Sequence, residues 1–180
     1  ASGVCGAGGS GGASGASGVS GFSGTSGFSG TSGFSGTSGT SGFSGLGAIT
    51  GAHSSDDTYT GIVLTGLNAG ATIAQWETVY LGGSSTWLLA DANGSSTYPA
   101  RGLATAAYSN TDPATILTYG TVRNDAWNWT VGGALYLSTT AGSITQTAPS
   151  ASGDKVQVIG YALTADIAFF DFNSTYLTVT

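Results

Sequence analysis

The feature that most constrains this chain is a glycine at every third position from Gly3 to Gly45, without interruption. Much of the run alternates phenylalanine and threonine in the second place of the triplet, as in Gly21-Phe22-Ser23 and Gly24-Thr25-Ser26. A collagen triple helix requires this period, because three extended chains wind about one axis where only glycine fits. The sequence therefore predicts a collagen-like triple-helical stalk over residues 1–47, formed by three copies of the chain.

The predicted stalk lacks two features that stabilise collagen, since residues 1–47 contain neither proline nor a charged side chain. Side chains outside the glycine position point away from the axis, so the phenylalanines would form exposed rings that mark a contact surface. We therefore expect the rod to pack against other rods or against neighbouring subunits. The residues predicted to carry assembly are five axial glycines and four phenylalanines: Gly21, Gly24, Gly27, Gly30, Gly33, Phe22, Phe28, Phe34 and Phe43.

Three other structures have to be weighed against the triple helix. A flexible Gly/Ser linker needs this composition but not an unbroken register. A silk-like sheet has a side-chain period of two rather than three. A bundle of glycine-rich extended helices from one chain requires reversals, and residues 14–44 contain no turn signal that breaks the triplet. The linker and the bundle stay open as alternatives.

The composition of the whole chain is typical of an exported or virion protein rich in strands. Threonine, serine, glycine and aromatic residues are common, and charged residues make up only 7% of the sequence, which disfavours long helices. The net charge is −6, and the three cations Arg101, Arg123 and Lys155 are isolated, so nucleic-acid binding is not expected. No apolar run approaches the length of a transmembrane helix. We expect an extracellular or virion-surface protein.

Short β-type segments separated by turn residues follow the repeat. Residues 48–60 are predicted to form a polar neck, and residues 61–180 to form an all-β domain, either a sandwich or a barrel. Residues 102–108 are alanine-rich but too few for a convincing helix. The predicted strands cover residues 61–65, 73–81, 86–90, 116–123, 134–139, 143–147, 155–163, 167–172 and 175–180.

A faint repeat is present within the predicted domain. Val79-Tyr80-Leu81 followed by Gly102-Leu103-Ala104 resembles Leu135-Tyr136-Leu137 followed by Gly160-Tyr161-Ala162. The separations differ slightly between the two copies, so the pattern indicates a loose duplication.

Neither a catalytic site nor a metal site is predicted. The only histidine, His53, stands beside Ser54, Ser55, Asp56 and Asp57. Adjacent residues rarely converge on one reacting atom, as a nucleophile, its base and an orienting group must. The two carboxylates could offer oxygen ligands to calcium, but a solvated polar linker is the simpler interpretation. We predict a protein that is not an enzyme and that uses no metal or cofactor.

Trp127 and Trp129 are the candidate ligand-binding residues. On a strand, two residues separated by one would project from the same face. Two exposed indole rings can form a platform for a sugar, because each offers a flat apolar area with a polar edge. The alternative is that both rings fill the core or a subunit interface, together with Trp76 and Trp87.

Two parts of the chain resemble structural proteins of tailed phages. The Gly-Phe-Ser-Gly-Thr-Ser arrays are similar to the proline-poor collagen-like segments of those proteins. Residues 120–130 and 132–139 resemble a module that recurs at the ends of phage head-fibre and tail-fibre-like proteins, and the likeness continues through residues 144–149 and 156–162. The resemblance implies a small all-β module on a trimeric stalk, without catalytic residues. The same combination also occurs in secreted bacterial filaments.

These features predict a structural subunit of a homotrimeric fibre, which could polymerise into an extracellular filament. The expected partner is the chain itself, with no nucleic acid and no membrane. The alternative function is a receptor- or glycan-binding adhesin, whose terminal domain recognises a cell-surface glycan from the end of a collagen-like stalk.

Overall fold

Residues 49–180 are described by a computed structural model, and they form eleven strands with no helix among them. The all-β class predicted for this part of the chain is confirmed. The predictions for the repeat, namely the triple helix, its axial glycines and its phenylalanines, lie outside the described residues. In chain order the strands are β1 (Thr58–Asn68), β2 (Thr78–Leu81), β3 (Trp87–Leu89), β4 (Gly102–Ala104), β5 (Pro113–Arg123), β6 (Ala134–Leu137), β7 (Ile144–Thr145), β8 (Lys155–Val156), β9 (Val158–Ala162), β10 (Ile167–Asp171) and β11 (Leu177–Thr178).

Nine of these strands form one sheet that curls into a half-barrel. The strand order is β3-β2-β4-β5-β10-β9-β6-β7, and β1 pairs with β5 outside this path. The strands β8 and β11 form a separate two-stranded sheet. All of these strand pairs are antiparallel. The long β5 is therefore the centre of the domain, because it contacts β1, β4 and β10.

The two longest strands, β1 and β5, pair along their full lengths and approach each other closely at a pair of glycines. β4 pairs with residues 116–117 of β5 and β10 with residues 119–123, while β1 pairs with both of these stretches and has two irregularities in its register. Gly61 and Gly120 are register partners. A Cβ atom on Gly61 would lie 2.0 Å from the Tyr119 carbonyl oxygen, and one on Gly120 would lie 2.1 Å from the Thr60 carbonyl oxygen. Only glycine allows the two backbones to approach this closely.

The half-barrel consists of two similar halves that meet between β5 and β10. The first half has the order β3-β2-β4-β5, and the second has the corresponding order β7-β6-β9-β10. Val79 pairs with Gly102 in the first half, as Leu135 pairs with Gly160 in the second. The two copies of the sequence repeat thus lie on equivalent strands in equivalent register. Because β5 and β10 pair antiparallel, an approximate twofold rotation relates the halves.

The equivalence extends to the backbone beside the strands. The Trp76 amide donates to the Ala104 carbonyl at 2.8 Å, and the Gly132 amide donates to the Ala162 carbonyl at 2.9 Å. Trp76 and Gly132 also share a left-handed backbone, with φ of 65° and 76°. The loose duplication predicted from the sequence is therefore a duplication of the whole four-stranded unit.

The core fills the inner face of the curled sheet. Fully buried side chains come from both halves, among them Leu103, Leu117, Leu135, Ile159 and Phe170. Along β10, Ala168 and Phe170 are buried while their neighbours are partly or fully exposed. Since successive side chains of a strand point to opposite faces, this alternation separates an inner, core-lined face from an outer face.

Two predicted strands are shorter or divided in the structure. Residues 73–77 do not continue β2, because Trp76 takes a left-handed conformation that an extended strand excludes. Residues 155–163 separate into β8 and β9 at Gln157, whose fully buried amide binds the Ala100 backbone through both its oxygen and its nitrogen. This contact interrupts the strand at Gln157, and no local sequence pattern predicts the interruption.

In two other places the structure has β-strand where the sequence did not predict one. Residues 102–104 form β4, because Gly102 can lie against the Leu117 carbonyl oxygen, which would be only 2.5 Å from a Cβ atom. The strand β1 begins at Thr58, within the predicted neck, since Thr58 already pairs with Arg123.

Candidate functional site

The outer face of the sheet carries a continuous row of exposed apolar side chains, which we call the apolar outer face. Tyr119 and Tyr161 both pack against Phe169, with ring centroids 5.0 Å and 5.3 Å away. Tyr161 and Phe169 share a shallow depression with Val158, and Val158 shares the next one with Tyr176 and Leu177. The members are Tyr119, Val158, Tyr161, Phe169, Tyr176 and Leu177, and Leu177 is the most exposed at 72%.

Among the described residues that line these two depressions, Asp171 is the only charged one. An exposed apolar row of this kind usually marks a contact with another macromolecule. The row was not predicted from the sequence. Residues 167–171 are apolar on both faces of the strand except at Asp171, so the sequence does not say which face is buried.

The chain joins the sheet immediately beside the apolar outer face. The Thr121 hydroxyl donates to the Thr50 carbonyl oxygen, and Thr121 is the register partner of Phe169. A Cβ atom on Gly51 would lie 3.3 Å from Leu163, which directly follows β9. Residues 50–53 therefore lie on the sheet itself and are not a free linker.

His53 fixes this junction through its ring and its backbone. Nε2 lies 2.9 Å from the Thr121 hydroxyl oxygen, and Nδ1 lies 3.1 Å from that of Thr58. Arg123 donates to the His53 carbonyl oxygen at 3.0 Å. Burial lowers the pKa of the imidazole, and the positive charge of Arg123 lowers it further. The ring lies between two threonine hydroxyls and has a structural role, since no nucleophile or orienting carboxylate bonds to it within the described residues.

The two aspartates of the predicted neck are bonded to the sheet as well. Asp57 Oδ1 accepts from Trp76 Nε1 at 2.7 Å and from Asn124 Nδ2 at 3.1 Å. Asp56 Oδ1 accepts from the Asp125 amide at 2.7 Å. Both aspartates are exposed to solvent, as expected for a polar segment, but one oxygen of each is bonded to the sheet, so the segment is not a free linker. Within residues 49–180 no cluster of three metal-ligating side chains is present.

An ion pair completes the junction. Arg123 binds both carboxylate oxygens of Asp125, at 2.6 Å from Nε and 3.1 Å from Nη2. The hydrogen bond to Asp125 raises the pKa of Arg123, and the same bond lowers the pKa of Asp125. The pair is solvent-exposed, so it contributes little stability. Its role is to orient the Arg123 guanidinium toward the His53 carbonyl oxygen.

Trp127 and Trp129 do not lie on a strand, so the expectation that they share one strand face was wrong. They lie in the loop between β5 and β6. In this loop the Trp127 amide donates a hydrogen bond to the Asn124 carbonyl oxygen, and the Trp129 amide donates one to the Ala165 carbonyl oxygen. Both rings are half-buried and pack against the core. Their centroids are 5.5 Å apart, and Trp127 also meets Phe170 at 6.1 Å.

These two rings nevertheless reach the surface at a depression that Trp76 shares. The depression has a volume of about 330 Å³, and the rest of its wall combines polar side chains, including Gln75, Glu77 and Asn124, with small and apolar residues. Trp76, for which the core or a subunit interface was the alternative expected from the sequence, is largely buried, with 6% of its surface exposed. We call this feature the tryptophan depression.

A larger and mainly apolar groove lies elsewhere on the domain. Its volume is about 590 Å³, and its walls include Leu64, Tyr80, Leu81, Tyr98 and Phe172. Arg101 stands at its side, but its guanidinium is bonded to the Ser174 hydroxyl. The exposed leucines make this groove a second apolar patch of the domain, in addition to the apolar outer face.

Helices long and apolar enough to cross a membrane are absent from residues 49–180. The chain matches no protein-family model and no curated protein.

Proposed function

We propose that the chain is the structural subunit of a homotrimeric fibre, in which residues 1–47 form a collagen-like rod and residues 49–180 form a β-rich head. The observation that carries the proposal is the glycine register, which runs from Gly3 to Gly45 without a miss. A triple helix demands a glycine at every third residue, because its axis has no room for a side chain. Such a fibre belongs on a virion surface or outside a cell, and it can extend into a filament if its heads and rods associate.

The described part of the junction supports this assembly. Thr50 is bonded to Thr121 beside the apolar outer face. The chain therefore enters the β-rich head next to an apolar surface, which association of three heads would bury.

The chemistry of the apolar outer face suits contact with copies of itself. Tyrosine and phenylalanine are enriched at the centres of subunit interfaces, and charged residues are depleted there. In a threefold ring each subunit uses two different patches, and the row from Tyr119 to Leu177 is long enough to supply both. Burial of this row would offset part of the weakness of a rod without proline.

The test is to measure the mass and the circular dichroism of the full chain and of Gly27→Ala. We expect a trimeric mass and an extended-helix spectrum for the parent. The alanine methyl group at the axis should disrupt the rod and lower its melting temperature. Ser26→Ala is the matched control, since it adds no atom at the axis. A monomeric parent, or equal melting of the two variants, would contradict the proposal.

A further inference from the structure

We propose that the tryptophan depression binds a neutral saccharide. Trp76, Trp127 and Trp129 bring three indole rings to one small concavity, and Gln75, Glu77 and Asn124 add polar groups beside them. Sugars present both kinds of surface, with apolar C–H faces that stack on indole rings and a rim of hydroxyl groups that require hydrogen bonds. A saccharide is therefore the ligand class that this combination fits.

The dimensions suit a small ligand. A volume of about 330 Å³ lies at the lower end of the range for ligand sites, roughly 300–1,000 Å³. Trp127 and Trp129 are tilted by 50° with their centroids 5.5 Å apart, so they form an angled wall and not a flat platform. An angled wall of two rings can hold one sugar ring against the third tryptophan.

The polar groups are held in place by the protein itself. Glu77 Oε2 accepts from the Ala74 amide at 2.6 Å, and Oε1 accepts no hydrogen bond within residues 49–180. Asn124 is fixed from both ends, since Nδ2 donates to Asp57 and Oδ1 accepts from the Ala126 amide at 2.8 Å. Groups oriented before the ligand arrives lose little entropy when they bind it.

The backbone conformation at Trp76 is unfavourable for a residue with a side chain. Trp76 has φ of 65°, and the equivalent position in the second half of the sheet is Gly132 with φ of 76°. A left-handed conformation costs a non-glycine residue about 1–2 kcal/mol, whereas glycine adopts it freely. The first half thus keeps an indole where the backbone alone would favour glycine. Its Nε1 is tied to Asp57, which fixes the ring at the wall of the depression.

The charge of the depression selects against acidic sugars. Glu77 lines it, and the described residues place no lysine or arginine in its wall. A sialic or uronic acid carboxylate would be repelled by Glu77 and would find no cation. The preferred ligand is therefore a neutral hexopyranose unit.

This site goes beyond the fibre proposal and does not compete with it. Phe169 and Phe170 are consecutive in β10, so their side chains point to opposite faces of the sheet. Phe169 belongs to the apolar outer face, whereas Trp127 packs against Phe170 on the inner side. A trimer closed through the outer faces would leave the tryptophan depression open.

The experiment is a titration of the intact protein, followed by tryptophan fluorescence, with lactose, maltotriose, mannotriose and tetra-N-acetylchitotetraose. We expect a saturable change with at least one of these sugars, and at least tenfold weaker binding of 3′-sialyllactose than of lactose if lactose binds. Trp127→Ala should abolish the response. Because that variant also loses packing against Phe170, Ala126→Arg is the second test, since this exposed residue can block the depression without disturbing the core.

Ser95→Arg, at an exposed position outside the depression, is the matched control and should bind like the parent. No response to any of the four neutral sugars would overturn the proposal, and so would binding that survives in Ala126→Arg. The oligomeric mass of the parent is measured independently, so failure of this site leaves the fibre proposal to its own test.

Discussion

At the residue scale, His53 is a residue of a catalytic type that has a structural role here. Its ring bridges Thr58 and Thr121, and the Thr121 hydroxyl also holds the Thr50 carbonyl oxygen. The sequence placed this lone histidine beside serines and aspartates without predicting a catalytic site, and its ring partners come instead from β1 and β5. Sequence adjacency gave no indication of them, because pairing of these strands brings together residues far apart in the chain.

The depressed pKa of His53 predicts a pH-dependent stability. Above the ordinary value of 6.5 the ring is neutral in both the folded and the unfolded chain, so its contribution is complete. As the pH falls below 6.5, the unfolded chain binds a proton first and the folded state loses stability until the lowered pKa is reached. We expect the melting temperature to fall between pH 7.5 and pH 5.5, and to fall less in His53→Gln. Equal losses in the parent and the variant would show that His53 does not contribute.

At the element scale, the pairing of β1 with β5 depends on two glycines. Gly61 and Gly120 let the paired strands approach to a distance that no side chain permits. The glycines of the internal repeat play a similar part, since a Cβ atom on Gly160 would lie 2.1 Å from the Phe169 carbonyl oxygen. In each case the obstructing atom belongs to the backbone, so the neighbour cannot move aside.

Gly120→Ala should therefore be strongly destabilising. We expect the free energy of unfolding to fall by about 3 kcal/mol or more, at the upper end for overpacking. Gly83→Ala is the matched control, because a Cβ atom there meets nothing within 4 Å, and it should change stability by less than about 0.5 kcal/mol. Urea unfolding of the two variants measures the difference. If they unfold alike, the two strands do not approach each other as closely as described.

Prediction from sequence succeeded where composition and local pattern decide. The threonine-rich, charge-poor segments gave the β class, and the similarity of residues 79–81 to residues 135–137 gave the duplication. It failed where distant contacts decide. The left-handed Trp76, the buried Gln157 and the loop position of Trp127 all depend on partners in other strands. Of the three rings in the tryptophan depression, the sequence indicated only the pair Trp127 and Trp129. Trp76 lies far from them in the chain, and only the fold brings it to the same place.

At the scale of the whole molecule, the apolar outer face is the surface that most needs a partner. Five of its six side chains are among the exposed large hydrophobic residues of the domain, and Phe169 packs among them. The joining point at Thr50 lies next to this face. The proposed trimer satisfies both conditions with one arrangement.

Tyr161→Glu should weaken the trimer, because it places three carboxylates in an apolar interface. We expect the trimer to dissociate at a protein concentration at least tenfold higher than the parent requires, as followed by analytical ultracentrifugation. Val131→Glu adds the same charge at an exposed turn residue outside the apolar outer face and should leave association unchanged. A Tyr161→Glu variant that associates like the parent would place the interface elsewhere.

The pairing of β1 with β5 sets an order of events during synthesis. Residues 58–68 leave the ribosome well before residues 113–123, so β1 must wait for the strand with which it pairs. β5 in turn pairs with β10, which emerges later still. Residues 50–53, which lie on the sheet, are thus among the first parts of the domain to be made and among the last to be fixed. In the proposed fibre, three chains could align their glycines only after their heads have folded, so the rod would form from the head toward residue 1.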